Sequence, residues 1–407
     1  MLGVRTAALP ASLRRTNQRT VISLLLRLGS ASRADLAKAA GISQPTAGKI
    51  TTELLRLGIL QEAGSATESS AAGNGSASRL GRPGQLLRLD ALHPRFLAVE
   101  LGVSETSFSA LPVAVQLEDQ WTRSFPTPKS PEAWLAALKA AAQDFVNEEL
   151  WGILISVPGI VDEQTGKVLF SPNLHWLEKI NLPGLVRDLW DLPVLLVQEI
   201  RALALGHLTA EPGGEDFLLI DFGQGVGGAV VLEGELFSHP MPLSGEFGHT
   251  PVAGNRRRCG CGALGCLETL VSERGLLESF AAADKHRRAP APASWKAFST
   301  RVNKSGLDPW LTETLNATAP VVAGALNVLG VRRLVVTGHL TELPACVSYL
   351  SAEVSKGAMW GRFGEIIVQT APHRRAAGLV AAGIDRLVLP DDDSRAMVPS
   401  RVAASAA

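Results

Sequence analysis

Three of the chain's four cysteines, Cys259, Cys261 and Cys266, lie within eight residues of one another, and His249 precedes the first by ten residues. Thiolates and imidazole are the ligands that close a tetrahedral structural zinc site and leave no position for a catalytic water. The glycines between the cysteines let the backbone turn tightly enough for the sulfurs to reach one ion. The spacing therefore predicts a structural Zn²⁺ site. The alternatives are reduced loop cysteines or disulfide partners, although Cys-x-Cys is too short for an easy disulfide.

The run GEFGHTPVAGNRRRCGCGALGCLE, from Gly245 to Glu268, resembles the zinc-binding signature of the ROK family. That family contains bacterial sugar kinases and sugar-responsive transcriptional repressors. The resemblance implies a two-lobed α/β domain of the ribonuclease H-like, actin-like class, with a ligand held in the cleft between the lobes. Features elsewhere in the sequence are needed to distinguish a sugar kinase from a repressor.

Composition and charge place the chain among globular proteins with an N-terminal module of distinct charge. With 407 residues, 46% of them hydrophobic, it is expected to form two or three domains. The early apolar run Val21 to Leu28 is short and contains Arg27, which predicts a cytoplasmic protein with no membrane partner. Residues 1–90 hold twelve Lys or Arg against five Asp or Glu. This excess favours a polyanionic partner.

The basic module has the pattern of three short helices, which predicts a DNA-binding domain over residues 14–90. Thr16 or Asn17 is expected to cap the first helix, which Gly29 ends. A second helix is expected over residues 33–40, and Ser43 is expected to cap a third. Helices in this order form a helix-turn-helix. A helical protein-interaction or dimerisation domain is the alternative.

The third helix is predicted to enter the major groove of operator double-stranded DNA. Its apolar residues share one face and leave polar residues on the other, where Gln suits adenine and Lys suits guanine or phosphate. Predicted strands at residues 59–62 and 85–89 form a wing around a flexible low-complexity stretch. Wing arginines in a Gly/Pro turn suit a narrow minor groove. The predicted DNA contacts are Ser43, Gln44, Thr46, Lys49, Arg79 and Arg82. Similar winged modules, with a GRP turn at the wing, precede the sugar-binding domain in the repressor branch of the ROK family.

Beyond Pro94 the chain changes to apolar runs bounded by glycines, which indicate buried strands of an α/β sheet. FLAVELGVSETSFSAL near residue 96 and FLLIDFGQGVGGAVVLEGEL near residue 217 repeat one strand, turn and strand pattern. We therefore expect an N-terminal lobe over residues 95–205 and a C-terminal lobe with the zinc loop over residues 206–388. Residues 389–407 are predicted to be a disordered tail.

The sugar-binding residues are implied by the resemblance. In ROK proteins the sugar is lined by the glutamate of GE-x-GH, by the zinc-ligating histidine, by the glutamate after the last cysteine, and by an Asn-Asp pair. Carboxylates and amides suit vicinal hydroxyls in a largely dry pocket. The matching positions are Glu246, His249, Glu268, Gln198 and Glu199, with Gly159 and Asn173 as secondary candidates. Gln198 and Glu199 depart from the family's Asn-Asp pair.

Phosphate-binding and catalytic elements of the kinase branch are altered in this chain. Val103 and Glu105 stand in the first phosphate loop, and Gln224 replaces a threonine in the second. Thr337 and His339 replace glycines near the expected adenosine site. Glu199 stands in place of the catalytic aspartate, which shifts the carboxylate by about 1 Å. These departures predict no nucleotide cofactor and no enzymatic activity.

Together these features predict a transcriptional repressor that binds operator DNA and a sugar or sugar-derivative effector. A homodimer or homotetramer is expected, because palindromic sites require two-fold symmetry. An ATP-dependent sugar kinase and a DNA-binding regulator with a decayed sugar pocket remain as alternatives.

Overall fold

The computed structural model describes residues 10–65, 85–115, 118–211, 216–237, 245–283 and 294–389. The predicted wing contacts Arg79 and Arg82 lie outside the described residues. Of the predicted tail, only Leu389 is described, and it is buried. Among the described helices, none combines the length and apolarity that a bilayer crossing requires.

The N-terminal domain consists of three helices and a small antiparallel sheet. Its sheet has the strand order β1-β3-β2. Ser32 and Ser43 cap the second and third helices by accepting hydrogen bonds from the backbone N–H groups of Asp35 and Thr46, as such N-caps do. The elements are α1 (Pro10–Leu28), β1 (Ala31–Ser32), α2 (Arg33–Ala40), α3 (Gln44–Arg56), β2 (Leu60–Ser65) and β3 (Gln85–Leu89).

The first helix begins at Pro10, so the prediction that Thr16 or Asn17 caps it is wrong. Both residues lie inside α1. The turn that precedes them is held by tertiary contacts, including the pairing of Arg14 with Glu53 of α3. Contacts between residues so far apart in the chain override a local capping signal.

The first lobe is built on a five-stranded sheet of order β10-β7-β4-β5-β6. β4 runs antiparallel to β5 and parallel to β7, and its side chains are nearly all buried, as expected for a strand covered on both faces. The elements are β4 (Phe96–Leu101), β5 (Glu105–Leu111), β6 (Arg123–Pro126), α4 (Pro131–Ala142), β7 (Gly152–Val157), the hairpin β8 (Ile160–Asp162) and β9 (Lys167–Phe170), α5 (Leu182–Trp190), β10 (Val194–Gln198) and α6 (Glu199–Ala210).

The second lobe repeats this topology in the order β13-β12-β11-β14-β15. The first strand of each lobe, β4 or β11, again pairs antiparallel with the second and parallel with the fourth, so the two similar sequence segments do form matching halves. The elements are β11 (Phe217–Phe222), β12 (Val226–Leu232), β13 (Glu235–Leu236), α7 (Glu268–Val271), α8 (Glu273–Ala283), α9 (Trp295–Ser305), α10 (Pro309–Leu329), β14 (Arg333–Gly338), α11 (Pro344–Gly357), α12 (Trp360–Phe363) and β15 (Ile367–Thr370).

The last helix, α13 (Arg375–Gly383), returns to the first lobe and continues as a π-helical turn over Ile384–Val388. It packs against α6 and against β4 and β7, although the predicted boundaries assign it to the second lobe. The predicted boundary at residue 205 also falls inside α6. A single apolar core runs from the N-terminal domain through the first sheet to α13.

Two glycines allow α6 and α13 to cross closely. A Cβ atom on Gly206 would overlap the carbonyl oxygen of Arg374, and one on Gly378 would overlap that of Ala202. Close backbone approach of this kind is available only to glycine. The crossing therefore fixes how closely the two helices pack against each other.

Replacing Gly378 with alanine should lower the free energy of unfolding by about 1–3 kcal/mol, because the new methyl group forces the two helices apart. Gly324→Ala in α10 is the matched control, since nothing lies within 4 Å of its added Cβ and alanine is the better helix former. Denaturant unfolding followed by circular dichroism measures both. Equal stability of the two variants would contradict the packing argument.

Candidate functional site

A cleft of about 630 Å³ lies between the two lobes. Its walls come from the turns after β4 and β11, the loops after β7 and β9, the start of α6, and the loop that precedes α7. The structure brings all the predicted sugar-binding residues to this cleft: Gly159, Asn173, Gln198, Glu199, Glu246, His249 and Glu268. Their roles stay predictions, but their placement satisfies the first requirement for a shared site.

The predicted metal ligands His249, Cys259, Cys261 and Cys266 also converge, with all four ligand atoms within 4.8 Å of one another. Sγ of Cys261 lies 3.7 Å from Sγ of Cys266, and Nδ1 of His249 lies 3.6 Å from Sγ of Cys259. Ligands bound at normal distances around a tetrahedral ion stand about 3.6–3.8 Å apart. The four residues therefore fit a tetrahedral metal ion.

The loop that carries these ligands is held by backbone and side-chain hydrogen bonds. Arg257 anchors it to the helices that follow, because its guanidinium donates to the carbonyl oxygens of Thr269 and Gly275 and to the Ser279 hydroxyl, at 2.8, 3.1 and 2.8 Å. Gly245 enters the loop at φ 94°, with a Cβ position that would overlap the backbone of β12. Only glycine fits there, and it fixes the direction of the following Glu246.

The side chains beside the cluster form one polar wall of the cleft. Nε2 of Gln198 donates to Glu246 at 3.4 Å, and a second Glu246 oxygen lies 3.6 Å from Nε2 of His249. Glu268 accepts a hydrogen bond from the Val226 backbone N–H at 3.1 Å. Burial raises the pKa of Glu246, with His249 opposing that shift. These carboxylates and the amide are suited to bind hydroxyl groups.

Sequence reasoning missed the residue on which the opposite wall depends, Arg375. Its guanidinium is buried and pairs with Glu100 at 2.8 Å and with Glu199 at 2.7 Å, while Asp119 lies 3.9 Å away. Burial raises the pKa of Glu100 to about 7, against the opposing effect of Arg375. No local sequence signal marks this role, because the carboxylates that Arg375 contacts come from distant segments of the chain.

Next to Arg375, His373 forms a hydrogen bond with Asp221 of the second lobe. His373 lies 2.8 Å from Oδ1 of Asp221, and the Thr337 hydroxyl donates to the same oxygen at 2.7 Å. Burial alone would raise the pKa of Asp221, but the hydrogen bonds from His373 and Thr337 and the charges of His373 and Arg375 hold it below its usual value. Thr337, expected near an adenosine site, is instead part of this hydrogen-bond network.

The two glycine turns that face the cleft are closed on themselves. Gly102 N–H donates to the Glu105 carbonyl, and Gly223 N–H donates to the Gly225 carbonyl, both at 3.0 Å. Between the turns, Nε2 of Gln224 donates to the Ser104 hydroxyl at 3.2 Å. This hydrogen bond joins the turns of the two lobes.

In the N-terminal domain, the predicted base-reading side chains lie on the surface of α3. Ser43, Gln44 and Lys49 are exposed and Thr46 is half-buried. The opposite face, with Ala47, Ile50, Leu54 and Leu57, is buried as predicted. Ser43 caps the helix, so its hydroxyl already has an intramolecular partner.

Comparison with known proteins gives a consistent picture. The ROK family model matches residues 96–385. The xylose repressor of Caldicellulosiruptor bescii is 27% identical over 65% of this chain and 66% of its own length, so the match spans just under two thirds of that relative. NagC of Escherichia coli K12, described as a DNA-binding transcriptional dual regulator, is 24% identical over 90% of this chain and 91% of its own.

A solved structure agrees in fold over nearly the whole chain. The crystal structure of a ROK family transcriptional regulator, described as a homologue of the E. coli MLC protein, has a TM-score of 0.70 at 19% identity. It covers 96% of this chain and 99% of that one. The N-terminal domain is therefore included in the structural match.

Replacing Cys261 with serine should reduce the metal content of the purified protein and lower its melting temperature, because one of four ligands is lost. Metal analysis by inductively coupled plasma mass spectrometry measures the first effect. Cys346→Ala is the control, since Cys346 is buried in α11 outside the cluster. Undiminished metal in the Cys261 variant would refute the ligand assignment.

Proposed function

The chain belongs to the ROK family, and we propose that it is a sequence-specific DNA-binding repressor whose ROK domain senses a sugar or sugar derivative. Relatives named as repressors, matched over 65% and 90% of the chain, support this function. The observation that carries it is the placement of a capped helix with exposed Gln44 and Lys49 in a domain whose core continues into the first lobe. A ligand in the cleft and DNA at α3 would then act on one connected body.

The alternative, a sugar kinase, is disfavoured by the geometry of the cleft. A catalytic base must be free to accept the hydroxyl proton of the substrate, but the Glu199 carboxylate is paired with Arg375 at 2.7 Å. Phosphate loops cradle their ligand with backbone N–H groups, and those of Gly102 and Gly223 are used within their own turns. These contacts support a domain without nucleotide chemistry.

The metal we propose is a structural zinc ion. Three sulfurs and one imidazole nitrogen form a complete soft ligand set, which favours zinc over harder cations. His249 would bind through Nδ1, while its Nε2 faces Glu246 in the cleft. Bound zinc would thus fix the ring that orients a sugar-binding carboxylate.

The active form we propose is a homodimer or homotetramer. Two copies of α3 related by two-fold symmetry would match the two halves of a palindromic operator.

Contacts that begin at the cleft give the effector a route towards the DNA-binding domain. The backbone N–H of Gln198 donates to Glu163 at 2.9 Å, and Arg201 donates to the same oxygen at 3.1 Å. The other Glu163 oxygen pairs with Arg386, in the π-helical turn after α13. A shift of Gln198 on ligand binding would therefore be transmitted to this turn.

The preceding residue of the turn continues the route into the N-terminal domain. Asp385 accepts a hydrogen bond from Arg15 through its carbonyl at 2.8 Å and pairs with Arg19 through its carboxylate. On the same helix α1, Gln18 donates to Glu53 of α3 at 3.0 Å. The chain of polar contacts thus runs from the cleft to the helix we propose to read DNA. Ligand binding changes operator affinity only if it favours one arrangement of these contacts over another.

Gly48→Ala should weaken operator binding while it raises the melting temperature. Nothing lies within 4 Å of an added Cβ at this position, and alanine stabilises a helix interior by about 0.5–1 kcal/mol relative to glycine. The same methyl group would obstruct close approach of the DNA backbone to α3. Operator duplexes selected from a random library, followed by titration with fluorescence anisotropy, measure the affinity. Unchanged affinity would place the DNA elsewhere.

Arg386→Gln should uncouple the two sites. Sugar affinity and operator affinity without ligand are expected to stay near those of the parent protein, while the fold-change in operator affinity on adding sugar falls towards one. D-xylose and N-acetylglucosamine are the first ligands to titrate, given the named relatives. The control is Arg274→Gln, which breaks an exposed ion pair within α8. Full coupling in the Arg386 variant would exclude this route.

A further inference from the structure

The charge of the cleft is strongly one-sided. Its described lining contains eight carboxylates, one guanidinium and three imidazoles. Glu100 is partly protonated near neutral pH, because burial raises its pKa to about 7. The remaining carboxylates still exceed the one fixed positive charge several-fold. Because the walls carry mainly negative charge, a ligand in the cleft experiences a concentrated negative electrostatic potential.

The single guanidinium already has carboxylate partners at both terminal nitrogens, and only its buried Nε has no hydrogen-bond partner. Arg375 is 8% exposed, and its two terminal nitrogens lie 2.8 Å from Glu100 and 2.7 Å from Glu199. Asp119 stands next to them at 3.9 Å. A phosphate group would have to displace one of these carboxylates and leave it buried beside another anion, which is strongly unfavourable.

Part of the backbone that faces the cleft is already engaged in hydrogen bonds. The N–H groups of Gly102 and Gly223, in the two turns that face the cleft, donate within their turns. Gln224 and Ser104 bridge the turns directly. Hydroxyl groups, in contrast, can donate to carboxylates and accept from amides. The wall formed by Gln198, Glu246 and Glu268 provides both.

We infer that the cleft accepts an effector sugar without any anionic group and excludes sugar phosphates. The inference rests on the proposed sugar-sensing function and names the ligand class of that site. Like charges facing each other are a standard source of discrimination between ligands that share every other contact.

Isothermal titration of the full-length protein with matched pairs tests the inference. The pairs are glucose, mannose and N-acetylglucosamine, each with its 6-phosphate. In each pair that binds, the free sugar should bind about tenfold or more tightly than its phosphate. Raising the salt concentration from about 50 to 500 mM should reduce this difference in affinity, since salt screens the repulsion between the phosphate and the carboxylates.

A variant with fewer negative charges tests whether electrostatic repulsion, and not the shape of the cleft, causes the preference for free sugars. Glu105→Gln with Glu118→Gln removes two negative charges from the lining without touching the predicted sugar contacts. The preference for the free sugar should fall several-fold in this variant. Glu313→Gln, at an exposed position near the start of α10, is the matched control and should keep the parent preference. An undiminished preference in the double variant would refute the electrostatic explanation.

Three results are distinguishable. Tighter binding of the free sugars supports the inference. Tighter binding of a 6-phosphate overturns it and leaves sugar sensing intact. If no member of any pair binds, and none of them or D-xylose changes operator affinity, the proposed sensor function fails and the inference fails with it.

Discussion

The close crossing of α6 and α13 at Gly206 and Gly378 is the constraint on which the other features depend. α6 starts at Glu199 in the cleft, and α13 starts at Arg375 in the same cleft. Because the helices touch through backbone atoms, neither can shift without the other. The crossing therefore aligns a wall of the cleft with the far end of α13, where the N-terminal domain is attached.

That alignment explains how a fold shared with sugar kinases can be adapted to sensing. The arginine at the start of α13 pairs with Glu199, which the family resemblance places at the position of the kinases' catalytic aspartate. A carboxylate oxygen engaged in an ion pair is not free to contact a substrate hydroxyl, as a general base must. The cleft can keep its polar wall at Glu246 and Glu268 while Glu199 holds the start of α13 in place.

Local signals in the sequence were sufficient for several elements and for the four residues of the cysteine–histidine cluster. Serine caps, buried apolar runs and the cysteine spacing all act within a few residues, and α2, α3, β3 and β4 lie where they were predicted. The cleft residues came from a family resemblance, which carries tertiary information that periodicity lacks. The start of α1 and the role of Arg375 could not be predicted, because their partners, such as Glu53, Glu100 and Asp385, are set only by the folded topology.

The polar wall of the cleft contains residues of both lobes, and this arrangement bears on how a ligand could move the protein. His249 and Glu246 belong to a loop of the second lobe that Arg257 anchors. Gln198 lies on the same wall but belongs to a strand end of the first lobe, whose amide contacts Glu163 and, through it, Arg386. A sugar that binds Glu246 and Gln198 together would draw the strand end towards the anchored loop. The displacement would then appear at α13 and α1, so a firmly held loop favours transmission of the signal to the N-terminal domain.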